Sequence, residues 1–306
     1  MSAPPTIAFV LVSDGRGRYP AMAFVAASAA RRLHPDARLV LVTDEATPAR
    51  LDEAHPRLLA LFDRVIPTPA AMPTPRARSF YLKTRLRDLV DGDFVYLDVD
   101  TLPVRPFADV FEREWDLAMV QDRNHHCPID PVFPHWEKPR MERLGWELPL
   151  ARYFNAGVIF TRDTPAARRV WADWQARWHQ SYAAGDDWDQ LALSCAVHTT
   201  AANVLELPPA YNAMVTVHPV HARGARVYHF FTVNPDAWRQ TVFEYLVGQA
   251  ERGEELDWAT ADRCVAMDHP WLPPYWPRRL WQTGNRGRAV RLYAAKAVRR
   301  LLGRPA

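Results

Sequence analysis

Phe94-Val95-Tyr96-Leu97-Asp98-Val99-Asp100-Thr101-Leu102-Pro103-Val104 is the stretch on which the reading of this chain turns. Phe94 to Leu97 run apolar and aromatic without interruption, the pattern of a strand buried on both faces. Two carboxylates follow. Residues two apart in extended backbone point to the same side, and open α/β sheets bind ligands beyond the carboxyl ends of their strands. Asp98 and Asp100 would there offer hard oxygen ligands to Mg²⁺ or Mn²⁺. The same spacing recurs at Asp91/Asp93 and Asp187/Asp189. Asp91-Gly92-Asp93 reads as a turn, where Asp and Gly serve the backbone. Asp98/Asp100 is the pair that closes a buried strand.

The residues around this strand alternate in type. Ile7–Val12 reads as a strand, Ala21–Leu33 as an Ala-rich helix ended by His34-Pro35-Asp36, and Leu39–Val42 as a second strand. Pro48–Leu61 reads as a helix with Thr47 as N-cap, Val65-Ile66 as a third strand, and Ser79–Val90 as the helix before Phe94. Strand–helix alternation at this spacing predicts an α/β fold with a mostly parallel central sheet and helices on both faces. Gln121–Leu150 then loses periodicity and is rich in Pro, His and Trp, including Asn124-His125-His126-Cys127 and Pro134-His135-Trp136. A segment of that length reads as a functional excursion. Order resumes with the strand Tyr153–Thr161 and a helix capped by Thr164, along which Ala167, Val170, Trp171, Trp174 and Trp178 recur at helical spacing.

Composition narrows the class. The 306 residues are 48% hydrophobic and 24% charged, enough for a real core, which excludes disorder and collagen-like repeats. Three scattered cysteines (Cys127, Cys195, Cys264) exclude a disulfide framework and a zinc cluster, and point to the cytoplasm. Ile7–Val12 is too short, and lacks the preceding basic region, for a signal peptide. No run reaches the ~18 apolar residues of a spanning helix. Only three of the 38 basic residues are lysines, which reads as codon bias. The net charge of +3 is unevenly spread: residues 269–306 hold nine basic residues and no acid, leaving 29 basic against 35 acidic in the rest. A mildly acidic body with a basic tail is not a nucleic-acid-binding profile.

Four segments in order carry a resemblance. Tyr96-Leu97-Asp98-Val99-Asp100 resembles the DxD segment of GT-A fold glycosyltransferases, especially the family 8-like bacterial sugar transferases and glycogenin. Phe154-Asn155-Ala156-Gly157-Val158 is similar to the family's FNAGV strand, Trp188-Asp189-Gln190-Leu191-Ala192-Leu193 to its DQxxL helix start, and Pro209-Ala210-Tyr211-Asn212 to the Tyr-Asn that follows a late strand. The resemblance covers residues 6 to about 240. It implies a Rossmann-like GT-A domain over residues 1–268, with Gln121–Leu150 as its acceptor side, and a metal-dependent transfer of a sugar from a nucleotide-sugar donor, a UDP-hexose, to a saccharide or lipid-linked acceptor, with retention.

The resemblance also assigns residues. Asp98 and Asp100 would hold Mn²⁺ or Mg²⁺ on the donor diphosphate, with His229 of Val227-Tyr228-His229-Phe230-Phe231 as third ligand and His218 and His221 as rivals. Lys83 and Asp14 would lie against the donor. Asn155 and Gly157 would face the sugar, with Gly157 letting backbone approach closely. Asp189 and Gln190 would flank the reacting carbon as catalytic residues, unless Asp186 or Asp187 supplies the acid. The family continues its histidine with a glycine and a Lys-Pro-Trp segment; here Phe-Phe-Thr-Val-Asn-Pro-Asp-Ala precedes Trp238, and Arg239 or another basic group would replace the lysine.

Two other functions share these features. A nucleotidyltransferase making nucleotide sugars needs a Gly-rich basic loop after the first strand, which Ser13-Asp14-Gly15-Arg16-Gly17-Arg18 partly imitates. A catalytically silent nucleotide-sugar-binding protein would keep the fold without turnover. The tail, residues 269–306, predicts a membrane-surface helix. Trp271, Tyr275, Trp276 and Trp281 lead into it. Val290, Ala294, Ala297, Val298 and Leu301 fall on one arc, and Arg288, Arg291, Lys296, Arg299 and Arg300 on the other, with Leu292 misplaced among them. A basic amphipathic helix suits an anionic bilayer, which would place the protein peripherally on the inner membrane face; a helix packed on the acidic body is the alternative.

Overall fold

The computed structural model describes residues 5–122, 137–146, 152–217, 219–231, 239–282 and 284–301. Most of the Gln121–Leu150 excursion, His218 and Trp238 therefore lie outside the described residues. Ten strands are present among those described: β1 (Thr6–Val10), β2 (Arg38–Asp44), β3 (Arg64–Thr68), β4 (Phe94–Leu97), β5 (Thr101–Pro103), β6 (Leu117–Gln121), β7 (Phe154–Thr161), β8 (Val204–Glu206), β9 (Ala213–Met214) and β10 (Val227–His229). Seven form one sheet in the order β3-β2-β1-β4-β7-β6-β8. Only β7 in that sheet runs against its neighbours β4 and β6; the other pairings are parallel. β5, β10 and β9 form a second, small sheet.

Apolar side chains cover both faces of the large sheet, as the unbroken apolar strands require. On one face Phe94, Phe154 and Ile159 pack against Trp171, Trp174 and Trp178 of the helix Pro165–Ala183. Thr164 caps that helix through the Ala167 N–H at 3.1 Å, as its sequence predicts. On the other face Ile7, Phe9, Val95 and Phe160 pack with Phe107 and Trp115. A third cluster joins the helix Tyr19–Leu33 to the small sheet and to the helix Val242–Glu251 through Val25, Leu102, Tyr228, Phe230 and Phe243.

Several boundaries differ from the sequence reading. The helix expected over Pro48–Leu61 is two pieces, Thr47–Ala54 and Pro56–Leu59, because a helical His55 would clash with the Pro56 ring. Thr47 is not the N-cap: its hydroxyl donates to Asp44 Oδ1 at 2.6 Å and accepts the Ser13 N–H at 2.9 Å, tying together the loops after β1 and β2. The helix before β4 starts at Pro75, capped by Thr74, and breaks after Thr84. β4 stops at Leu97, so Asp98 to Asp100 form a turn and not the end of the strand.

Residues 269–272 pack onto the body: Trp271 is buried and bridges to Thr241, and the Val242 N–H donates to the Pro270 carbonyl at 2.7 Å. The helices Trp276–Gln282 and Arg286–Leu301 follow. Leu280 and Ala289 bury against Met267, and Leu292 packs on the same cluster, which explains why it falls outside the apolar arc. Val290, Val298 and Leu301 of that arc are exposed, Leu301 by 86%. No described helix is long and apolar enough to cross a membrane.

Candidate active site

The turn after β4 aims the two carboxylates. The Thr101 N–H donates to the Asp98 carbonyl at 3.1 Å and the Thr101 hydroxyl to the same oxygen at 2.7 Å. β5 then pairs antiparallel with β10, placing Thr101 opposite His229, and the Phe230 N–H donates to the Asp100 carbonyl at 3.0 Å. That pairing carries a histidine from 129 residues downstream to the carboxylates. Ligand atoms of Asp98, Asp100 and His229 all lie within 4.8 Å of one another. Asp100 Oδ1 and His229 Nε2, 3.3 Å apart, are both buried without a hydrogen-bond partner. Leaving such an atom unsatisfied costs about 1–3 kcal/mol, which a shared cation would relieve.

Gly157 of β7 forms the floor of the cluster. A Cβ there would lie 2.2 Å from His229 Cε1 and 2.9 Å from Asp98 Oδ2. Its carbonyl accepts the Asp98 N–H at 2.8 Å, so the backbone of β7 holds the turn directly. The close approach expected of this glycine is therefore present, and what approaches it is the candidate metal ligand set.

Lys83 sits behind Asp98. Its Nζ lies 2.9 Å from Asp189 Oδ2 and 3.3 Å from Asp98 Oδ1, and 5.1 Å from the centre of the Tyr96 ring. The Tyr96 hydroxyl donates to Asp98 Oδ1. Burial alone would lower the lysine pKa, but Asp189 and Asp98 outweigh it and hold the ammonium above its ordinary value. Burial pushes the Asp98 carboxyl up, opposed by Lys83 and reinforced by Asp100. Burial also works against Asp100, but His229 prevails and holds it below its ordinary value. Two neighbouring carboxylates are thus split, as like charges sharing one site must be.

Asp189 and Gln190 divide their tasks. Asp189 precedes the helix Gln190–Thr199 without capping it, and its carboxylate is buried on Lys83. Gln190 is half-buried. Its Oε1 accepts from Asn155 Nδ2 at 3.2 Å and the Ala156 N–H at 3.3 Å, and its Nε2 donates to Asp122 Oδ2 at 2.5 Å. The structure thus groups Lys83, Asp98, Asp100, Asn155, Gly157, Asp189, Gln190 and His229. Asp14 is exposed on the loop after β1 and accepts the Arg16 N–H at 2.9 Å, outside the group. His221 lies in the turn Pro219–Ala222, apart from the cluster. Asp186 pairs with Arg140 and Asp187 with Arg76, so neither acid replaces Asp189 on Lys83. Arg18 is engaged by Glu244 at 2.6 Å and Glu251 at 3.2 Å. Arg239 is exposed.

Three supports have no role in the sequence reading, although Tyr96 and Asn212 stand in segments that carry the resemblance: Tyr96 on Asp98, Asn212 on His229 and Asp122 on Gln190. Asn212 carried a readable signal, a lone amide beside the apolar Ala213-Met214-Val215, since a buried amide needs partners.

No protein-family model and no curated protein matches the sequence. Solved structures do. The galactosyltransferase LgtC, in complex with donor and acceptor sugar analogs, matches over 90% of this chain and 100% of its own at 17% identity, with a TM-score of 0.56. An active-site mutant of LgtC matches over 80% and 95% at 18% identity, with a TM-score of 0.56. The glycosyltransferase GlyE of Streptococcus pneumoniae TIGR4 matches over 86% and 63% at 12% identity, with a TM-score of 0.56. The chain has the GT-A fold of these glycosyltransferases.

Proposed function

We propose that this protein is a metal-dependent glycosyltransferase that moves a sugar, a hexose, from a UDP-sugar to a saccharide or lipid-linked acceptor with retention. The observation that carries the reading is the Asp98–Asp100–His229 cluster, in which Asp100 Oδ1 and His229 Nε2 are buried without a hydrogen bond and face each other at 3.3 Å, over a floor that admits only glycine. It sits just beyond the carboxyl end of β4, where folds of this class bind ligands. The two carboxylates and the imidazole suit Mn²⁺ or Mg²⁺, which when bound acts as a Lewis acid on the leaving diphosphate.

The chain's own residues supply the rest. Lys83 holds Asp98 and Asp189 in place and adds positive charge beside the departing diphosphate. Half-buried Gln190, fixed by Asp122, Asn155 and the Ala156 N–H, would flank the reacting carbon, and its oxygen would exchange one of those two N–H groups to face the oxocarbenium-like sugar. The acceptor hydroxyl then attacks from the leaving-group face and gives its proton to the diphosphate. Asp14 and Arg239 would reach the nucleotide from the rim. Asp122 leads directly into the segment expected to bind the acceptor, so the acceptor would meet the donor at Gln190. The exposed arc of the helix Arg286–Leu301 would seat on an anionic bilayer, holding the site near a lipid-linked acceptor. The function is tested by incubating the protein with a panel of nucleotide sugars and Mn²⁺. One or more UDP-hexoses should raise the melting temperature and be slowly hydrolysed. Turnover of nucleoside triphosphates instead would establish a nucleotidyltransferase, and binding without turnover a silent binding protein.

A further inference from the structure

Asp122, Gln190, Asn155, Asn212 and His229 are joined by hydrogen bonds that run in one direction. Gln190 Nε2 donates to Asp122 Oδ2 at 2.5 Å, and Gln190 Oε1 accepts the Ala156 N–H at 3.3 Å and Asn155 Nδ2 at 3.2 Å. Asn155 Oδ1 accepts the Gly157 N–H at 2.9 Å and Asn212 Nδ2 at 2.8 Å. Asn212 Oδ1 faces His229 Nδ1 at 2.9 Å.

The direction cannot reverse. A backbone N–H only donates and an ionised carboxylate only accepts. Ala156 and Asp122 therefore fix which end of the Gln190 amide points where, and Gly157 fixes the Asn155 oxygen. Asn212 must then present its nitrogen to Asn155 and its oxygen to His229. His229 Nδ1 must therefore carry a proton in every state, and the neutral ring has its lone pair on Nε2, the atom facing Asp100. Asn155 is 4% exposed and Asn212 fully buried, so no water competes for these bonds. A flipped amide would set acceptor against acceptor and leave a buried donor unpaired.

We propose that Asn155 and Asn212 are positioning residues that lock His229 as its Nδ1–H tautomer and so keep Nε2 ready as a metal ligand. The inference rests on the reading of Asp98, Asp100 and His229 as a metal site. It moves Asn155 from the sugar to the ligand scaffold: its oxygen takes two bonds inside the protein, and its nitrogen serves Gln190. It also makes Gln190 and His229 the two ends of one scaffold.

The test uses the full chain labelled with ¹⁵N-histidine. Long-range ¹H–¹⁵N correlation through a pH series in metal-free protein reports the His229 tautomer once the ring is neutral, with the resonance assigned by its loss in His229→Gln. Mn²⁺ affinity is read from the electron paramagnetic resonance signal of the free ion. Wild type should show a single Nδ1–H tautomer. Asn212→Leu, nearly isosteric, should give an Nε2–H or mixed state and weaken Mn²⁺ by roughly 10–100-fold, the range for losing a ligand's hydrogen-bond partner. Asn212→Asp, which still accepts from Nδ1, should restore both. If Asn212→Leu does not fold, Asn155→Ala should release Asn212 to turn over and produce a tautomer mixture. A folded Asn212→Leu, or Asn155→Ala in its place, that keeps a pure Nδ1–H tautomer and wild-type Mn²⁺ affinity overturns the proposal. A wild type that shows the locked tautomer, lost in Asn212→Leu, but binds no Mn²⁺ supports the lock and defeats the metal reading instead.

Discussion

Gly157 and His229 lie so close that the glycine's missing side chain is part of the site: a Cβ at 157 would sit 2.2 Å from His229 Cε1. His229 can yield only by giving up the Asn212 bond at its Nδ1, now 2.9 Å, because the Thr101 pairing holds its backbone. Gly157→Ala should therefore displace the imidazole, cost about 1–3 kcal/mol of stability as overpacking does, and weaken Mn²⁺ by roughly 100-fold or more, the upper end for a disturbed ligand. Urea unfolding and Mn²⁺ titration measure the two effects. Unchanged Mn²⁺ affinity would contradict the placement of His229.

Lys83 joins two acids in the interior, Asp189 at 2.9 Å and Asp98 at 3.3 Å. Lys83→Met leaves buried negative charge without its partner and should destabilise the fold by about 3–5 kcal/mol. Adding Asp189→Asn should recover part of that loss, because one uncompensated charge is then gone. Additive losses in a double-mutant cycle of urea unfolding would show that the pair is not coupled.

Burial pushes His269 down to about 4, with Asp268 pulling up and Arg288 and Arg279 pulling down. The unfolded chain takes up this proton near pH 6.5, and the folded chain resists it until about pH 4. Stability attached to His269 is therefore present above pH 6.5 and is lost as pH falls through that window. His269→Asn retains an acceptor for the Trp271 N–H but does not titrate. Between pH 7 and pH 5 wild type should lose about 2 kcal/mol more than this variant. Parallel loss of stability in the two proteins would refute the shift.

How far this could be read beforehand differs between fold and site. Strands were legible because runs such as Phe94–Leu97 have one physical solution, burial on both faces. The break at His55-Pro56 is marked locally by the proline, but the helical pattern continues across it and masks it. Asp98 and Asp100 stand out from the other Asp-x-Asp pairs by following a buried strand, yet they converge through a turn closed by Thr101 and not through extended backbone. His229 needed the resemblance, since Val227-Tyr228-His229-Phe230 reads locally as an ordinary buried strand. What brings it to Asp100 is the pairing of β10 with β5, a long-range contact without a local signature. Gln190 was placed by the DQxxL helix start, whereas its grip on Asp122 was not visible in either local stretch.

The tail makes a separate prediction. The Arg286–Leu301 helix packs through Ala289 and Leu292 and exposes Val290, Val298 and Leu301. Wild type should sediment with phosphatidylglycerol vesicles, less so at high salt, given ~1 kcal/mol for each cation near the surface. Val298→Asp combined with Leu301→Asp should abolish sedimentation and leave hydrolysis of a soluble donor unchanged. Equal sedimentation of both proteins would mean that this face does not meet lipid.

The central claim is that Asp98, Asp100 and His229 hold a divalent ion on a nucleotide-sugar diphosphate, and it is tested most directly by release of UDP from a UDP-hexose. Wild type should be silent in EDTA and regain activity with Mn²⁺ or Mg²⁺. Asp98→Asn and Asp100→Asn should each stay folded and lose activity by roughly 10³-fold or more, about 4 kcal/mol of transition-state stabilisation. Full activity in chelator, or wild-type rates in either variant, would contradict the account.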